Sequence, residues 1–474
     1  MRPIEVSDRL GRWSSGRGPL YVLLAARMRR LIDDGELPPG ALLPPDRALA
    51  AALAVGRTTV VAAYELLRSE GRITRRQGSG TRVVGSLPSG TVQDAPVDPI
   101  FLDSLESRDE DVLLAICAAP GDPPPQLAEA YERILPSLRE ISGDIGYYPY
   151  GHPILRQAIS QRYADRGVPT APDQILVTNG GQQALSLLAH ALLSPGDQVL
   201  VEAPTYPGAL EAFREEAAVL RGLPVGLEGF EAAVRERRPG LAYVIPTYQN
   251  PTGFVLSPLV RERLARAAAA ADVPLIEDEV PADLGFPGTS QPVPMAAYSD
   301  AVISIGSLSK SVWGGLRIGW IRSSAPLTNR LARLRAVHDL GGNVPAQLAA
   351  AHLVTELDEP DLATELQTRH DHLRGLLTRH LPNWPVPSIQ GGQTLWVRLP
   401  HGDGNSFAQT ALRHGLAILP GSGLDVTGNS DPYVRLHFRA RPEELTEAVT
   451  RLTAAWHTYS PPADRVSPRP AIAI

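Results

Sequence analysis

One residue type is nearly missing from this sequence. Of its 45 cationic side chains 44 are arginine, and the only lysine is Lys310, in GSLSKSVWGGLRIGW. Arginine serves wherever a permanent positive charge is wanted, but it cannot deprotonate to give an amine nucleophile. A lysine kept alone therefore points to chemistry that needs a free amine, and imine formation with an aldehyde is the foremost example. A second pattern lies in TNGGQQAL, where Gly180, Gly181 and Gln182 follow an apolar run and open a helical one. Backbone N–H groups at the positive end of a helix suit a phosphate-like dianion. Other chemistries lack their residues. Eleven histidines are scattered with no HExxH or other ligand spacing, and they read as surface or core residues; the single Cys117 permits neither an internal disulfide nor a cysteine metal cluster, so no metal is expected. No GxSxG elbow, Walker loop or EF-hand pattern occurs.

The elements that must position Lys310 and the glycine pair are legible as short apolar runs alternating with helical patterns. The runs cover 174–178, 198–202, 241–245, 274–277 and 301–305. Such alternation predicts an α/β sheet with ligand loops at the strand ends. Ahead of it, Leu20, Leu23, Leu24, Met28 and Leu31 recur at helical spacing until Gly35 stops them, and 36–46 reads as a Pro-rich turn. A second helix starts at Asp46, an N-cap type of residue, and breaks at Val55-Gly56; a third runs from Arg57 to Gly71. Two short helices about a tight glycine turn predict a helix-turn-helix. Residues 72–84 read as two strands around a glycine tip, a β-wing whose arginines suit phosphate contact.

The expected organisation is a winged helix-turn-helix over 1–84, a flexible Gly/Pro/Ser/Asp-rich linker over 85–99, a large α/β domain over 100–460 and a loose tail over 461–474. Charge divides the same way. Residues 1–85 carry fourteen Arg against eight acids, whereas the rest of the chain is net −12. A basic head on an acidic body is the footprint of nucleic-acid binding confined to one end. The N-terminus has acidic residues where a signal peptide is apolar, and no run approaches the length of a membrane span; a cytoplasmic location without membrane contact is expected.

LLPPDRALAAAL, VGRTTVVAAYELLRSEG and RRQGSGTRV resemble the GntR-type winged helix over most of residues 19–84. The resemblance implies that Arg47, Arg57, Thr58 and Thr59 face double-stranded DNA at the two helix starts, with Gln77 and Gly78 at the wing tip. Val61 stands where many relatives carry a further DNA-facing arginine. The large domain resembles fold type I aminotransferases that bind pyridoxal 5'-phosphate (PLP), and the whole chain resembles the MocR subgroup of GntR regulators. In that comparison Lys310 is the lysine that binds the aldehyde. Asp278 pairs with the pyridine nitrogen, Asn250 bonds the phenolic oxygen, and Tyr206 stacks on the ring. Gly180, Gly181, Gln182, Ser307 and Arg317 hold the phosphate, and Arg435 in YVRLHF clamps a substrate carboxylate. Tyr147 matches the tyrosine that reaches a neighbouring subunit's phosphate in dimeric relatives, with Tyr148 and Tyr150 as alternatives. One departure is Val280, where many relatives carry a tyrosine; losing that hydroxyl costs about 1.5–3 kcal/mol of charge-assisted contact.

The resemblance implies a homodimeric, PLP-dependent transcriptional regulator that senses PLP, or an amine or amino acid condensing with it. The competing reading is an aminotransferase with an accessory N-terminal domain. An intact DNA-reading head favours the regulator, with some transaminase turnover left open.

Overall fold

The computed structural model describes residues 3–11, 13–14, 19–33, 35–70, 72–76, 80–84, 113, 123–140, 144–355 and 360–461. The periodic apolar residues near the N-terminus do form helices. They are α1 (Pro3–Leu10), α2 (Leu20–Asp33), α3 (Asp46–Ala52) and α4 (Arg57–Ser69). Leu24, Met28 and Leu31 of α2 close on Leu49, Val60, Tyr64 and Leu67 to make a separate small core. The axes of α3 and α4 turn through 118°, as a helix-turn-helix requires. Three short antiparallel strands, β1 (Leu42–Leu43), β2 (Ile73–Arg76) and β3 (Gly80–Val83), pair in the order β1-β3-β2 and form the wing.

Three local expectations are corrected. Asp46 is the first helical residue of α3, after Pro45, and its side chain makes no cap bond. The break after α3 begins at Leu53, because Ala54 takes a left-handed φ of 50°. The Pro-rich stretch is more than a turn, since Leu42 and Leu43 pair with Arg82 and Thr81. The wing-tip positions Gln77 and Gly78, the linker 85–99 and Cys117 lie outside the described residues, as does all of the tail but Pro461.

The second unit is built on a seven-stranded sheet in the order β4-β10-β9-β8-β7-β5-β6. Its strands are β4 (Ile175–Thr178), β5 (Gln198–Ala203), β6 (Val219–Pro224), β7 (Leu241–Val244), β8 (Leu275–Asp278), β9 (Val302–Ser307) and β10 (Gly319–Arg322). All run parallel except β10, which is antiparallel to both of its neighbours. The five apolar runs correspond to β4, β5, β7, β8 and β9. They are continuous rather than alternating because both faces are covered. Ile175, Val177, Leu200 and Leu275 pack on one side, and Leu176, Val199, Val201 and Ile276 on the other. Sequence reading missed β6, a half-exposed edge strand, and β10, the short GWIR.

Residues after 360 build a third core. A sheet of β11 (Thr394–Arg398), β12 (Leu419–Pro420) and β13 (Tyr433–His437), in the order β11-β13-β12, packs against the helices Pro360–His380 and Pro442–Thr458. This smaller unit touches the winged helix. Arg413, the last residue of the helix Gly404–Arg413, donates to Leu53 O at 3.3 Å and Ala54 O at 2.9 Å. These carbonyls end α3 and so lack intrahelical partners. Three residues on, Leu416 bridges to Leu113.

Candidate functional site

Because β4, β5, β7, β8 and β9 are parallel, the loops after all five open at one edge of the sheet, where ligands bind in folds of this kind. Gly180 follows β4, Tyr206 follows β5, Asn250 follows β7, Asp278 ends β8 and Lys310 follows β9. The antiparallel β10 begins at that same edge, so Arg317 just before it joins the group.

Asp278 is 5% exposed. It accepts from Tyr243 Oη at 2.6 Å and from the Val280 backbone N–H at 2.9 Å. Burial pushes its pKa up to about 6 against the pull of those two bonds. Lys310 is half-buried, and its pKa is pushed down to about 8 by burial and then by the charges of Arg439, Arg435 and Arg317. Taking a charged ammonium out of water disfavours it, and three cations nearby add repulsion. Arg435 on β13 reaches across from the smaller unit and donates from Nη1 to Asn250 Oδ1 at 3.4 Å.

The glycine turn after β4 has a steric and conformational basis. Gly180 precedes the helix Gly181–Leu192 with φ 83° and no side-chain cap. A Cβ there would lie 2.5 Å from Arg317 Nη2 and would strain the left-handed backbone, so glycine lets the guanidinium lie over the helix start without displacement. Arg317 takes a left-handed φ of 56° and donates to Asn179 O at 2.5 Å and Gly314 O at 3.2 Å. The Gln182 side chain donates to Gly208 O at 2.8 Å and accepts from Tyr206 Oη at 3.1 Å. Its amide thereby fixes the tyrosine ring. Ser307 Oγ is buried, 2.9 Å from both Ser309 Oγ and Ile318 O.

Tyr147 does not join this cluster within the chain. It is 59% exposed, while Tyr148 bonds Asp144 and Tyr150 donates to Asn329 Oδ1 at 2.9 Å. The side chain of Val280 turns towards Gly181, so position 280 offers no polar group.

Several residues that shape the site escaped the sequence reading. Tyr243 stands opposite Ile276 on β8 and thus shares a sheet face with Asp278 two residues on, a register that only the folded sheet sets. Arg261 is fully buried and ties down the loop ahead of Asn250, bonding Leu256 O at 2.9 Å, Pro246 O at 2.6 Å and Thr247 Oγ1 at 2.7 Å. Glu202, buried at the end of β5, accepts from Ile245 N at 2.8 Å and is pushed up to about 8 by burial. Nothing in their local sequence marks either one.

At the other end of the chain Arg47, Arg57 and Thr58 are exposed at the starts of α3 and α4, and Thr59 is half-buried. Asp46, 5% exposed, explains how this face is set. Its carboxylate oxygen lies 3.1 Å from Arg75 Nη2 of the wing and 3.7 Å from Arg57 Nη2 of α4. One acid thereby fixes the wing against the second helix.

Residues 109–452 match the aminotransferase class I and II family, and residues 20–83 match the bacterial regulatory proteins of the gntR family. The chain is 32% identical to the uncharacterized HTH-type transcriptional regulator YdcR of Escherichia coli (strain K12), over 88% of this chain and 94% of YdcR. It is also 32% identical to the probable rhizopine catabolism regulatory protein MocR of Rhizobium meliloti, over 77% of this chain and 78% of MocR. Among solved structures it is similar to LysN, the α-aminoadipate aminotransferase of Thermus thermophilus complexed with N-(5'-phosphopyridoxyl)-L-leucine. The TM-score is 0.66 at 26% identity, covering 73% of this chain and 92% of LysN. A gntR-type reading head, an aminotransferase body and regulators similar along more than three quarters of the chain make this protein a member of the MocR subgroup of the GntR transcriptional regulators.

Proposed function

We propose that this regulator binds promoter DNA through paired winged helices and that its DNA affinity answers to PLP, or to an amine or amino acid condensing with it, at Lys310. The observation that carries the reading is the convergence of the only lysine with Asp278, Tyr206, Asn250, Arg317 and Arg435 at one sheet edge of a chain that also holds a DNA-reading head. The residues fit the cofactor. A cradle that a Cβ on Gly180 would fill, an uncapped helix start and Arg317 match a phosphate dianion, and the buried carboxylate of Asp278 matches a protonated ring nitrogen. When bound, PLP supplies an aldehyde for amine exchange and a ring that withdraws electrons.

The chain's own groups have distinct tasks. Lys310, with its lowered pKa, offers a substantial neutral amine fraction near pH 7.5. Tyr243 and the Val280 N–H hold Asp278 by both carboxylate oxygens and keep it aimed. Asn250 presents an amide for the phenolic oxygen, and Tyr206, held by Gln182, flanks the ring. Ser307 and the backbone of Gly180, Gly181 and Gln182 complete the phosphate cup. Arg435 offers a planar fork for an effector carboxylate. Tyr147, exposed on its loop, is available to a second subunit in a homodimer. Val280 supplies no hydroxyl to polarise the reacting group, which favours a sensor over efficient transamination.

On the DNA side, Arg47, Arg57, Thr58 and Thr59 enter or flank the major groove, with Gln77 and Gly78 at the wing tip. Footprinting of the region upstream of the gene, with and without PLP, tests both halves together. A protected site that strengthens or weakens with PLP is expected, and a PLP-insensitive footprint or none would overturn the reading. Lys310→Ala should abolish the visible absorbance band of the PLP-loaded protein and the label that borohydride fixes.

A further inference from the structure

We propose that Arg439 forms a second anion subsite beside Lys310, so that the effector is an amino acid carrying a side-chain carboxylate. This rests on the reading of Lys310 and Arg435 as the sites of amine exchange and α-carboxylate binding. The strand geometry comes first. Val434, Leu436 and Phe438 are fully buried in the smaller unit's core. Arg435, His437 and Arg439 alternate with them, and side chains two apart along extended chain share a face. The face they share is turned to the site. Arg435 bonds Asn250 there, and Arg439 Nη1 donates to Lys310 O at 2.6 Å.

The charge inventory is one anion short. Arg317 lies over the phosphate cup and Arg435 suits an α-carboxylate, which leaves Arg439 as a third half-buried guanidinium against Lys310. Among the described residues, its Nε and Nη2 edge donates to no protein group. Glu365, the acid whose charge acts on it, is paired with Arg369, and Arg369 also donates to the backbone carbonyl of Arg439. His437 brings no charge, because burial and the neighbouring Arg435, Lys310 and Arg439 hold its pKa well below the ordinary value. Glu202, pushed up by burial, is mostly protonated at neutral pH, and Asp278 is already held by Tyr243 and the Val280 N–H. A half-desolvated guanidinium with an open N–H edge beside a cationic cluster favours a ligand carboxylate, which it can grip by two parallel bonds. A neutral side chain would leave that edge unpaired.

The test uses the PLP-loaded full chain. L-Aspartate, L-glutamate and L-2-aminoadipate are titrated against L-asparagine, L-glutamine and L-norvaline, with binding read by calorimetry and by the change in visible absorbance. At least one acid is expected to bind about tenfold or more tightly than the neutral ligands. Arg439→Gln should bring that ratio to about one, because any effect it has through Lys310 is common to the acidic and the neutral ligands and cancels in the ratio. Arg439→Lys, which keeps the charge but not the fork, should give an intermediate ratio; if the glutamine variant does not fold or load, this one decides. A wild-type ratio near one, a preference that persists in Arg439→Gln or is undiminished in Arg439→Lys, or a loaded protein that binds none of the six would overturn the subsite. If the wild type takes up no PLP at all, the reading of Lys310 itself fails and the subsite falls with it.

Discussion

Capture of PLP by the apo-protein should follow a pH profile set by the surroundings of Lys310. The group that must attack is the neutral amine, and its pKa is lowered from 10.5 to about 8 by burial, then by Arg439, Arg435 and Arg317. At pH 7.5 about a quarter of the molecules then carry the neutral amine, against about one in a thousand for an ordinary lysine, a gain of more than a hundredfold. The sign is fixed by the charge type: lowering an amine's pKa favours the nucleophile at neutral pH. Stopped-flow absorbance on mixing PLP with apo-protein from pH 6 to 10, at constant ionic strength and beside Nα-acetyl-lysine as reference, reads the difference. The rate should rise about tenfold per pH unit below pH 7, bend near 8 and flatten by about 9, while the reference climbs on towards 10. In Arg439→Gln the bend should move upward, since the largest charge contribution after burial is gone. A wild-type profile that tracks the reference with no bend below pH 9.5 would refute the argument, because the surroundings would then not be tuning the amine.

Arg57→Ala should weaken operator binding by about 1–3 kcal/mol per lost base contact without altering PLP uptake, and anisotropy titrations should show steep salt dependence. Unchanged operator affinity would remove α4 from the recognition surface. Arg413→Ala should shrink the effect of PLP on operator affinity, since Arg413 joins the smaller unit to the turn between α3 and α4. If PLP changes operator affinity tenfold, about 1.4 kcal/mol of coupling is at stake; an unchanged ratio in the variant would show that the signal travels elsewhere. Glu202→Gln should be nearly neutral near pH 4, where the folded and the unfolded wild type both hold the proton. Because burial raises the Glu202 pKa to about 8, the folded wild type holds a proton that the unfolded chain releases, so its stability falls as pH rises from about 4.5 to 8. The variant's melting temperature should therefore gain on the wild type across that window, and a constant difference would contradict the assignment.

The legible part of this protein was whatever depends on neighbours along the chain. The buried runs of the parallel sheet, the helix spacing of Leu24, Met28 and Leu31, and the glycine-rich start after β4 each repeat a local period that burial imposes. Lys310 stood out for a chemical reason, because no arginine can do what a neutral amine does. The motifs around it named Asp278, Asn250, Tyr206 and Arg435, but they did so through resemblance rather than through any contact visible in the sequence. Asp46 shows the limit of local reasoning. Its residue type and position suggest a helix cap, yet its carboxylate is spent on Arg75, 29 residues away.

By itself, then, the sequence determined the two classes of unit in the chain, the strands whose ends carry the site, and the one residue able to act as an amine. Only the tertiary structure decided that Tyr243 would hold Asp278, that Arg261 would brace the loop before Asn250, that Arg439 would lie against Lys310, and that Arg413 would grip the end of α3. Each of those contacts joins segments that are distant in sequence, through strand register or through the docking of one core on another. Periodicity records which side of an element is buried; what a long side chain meets on that side depends on the packing of the elements around it.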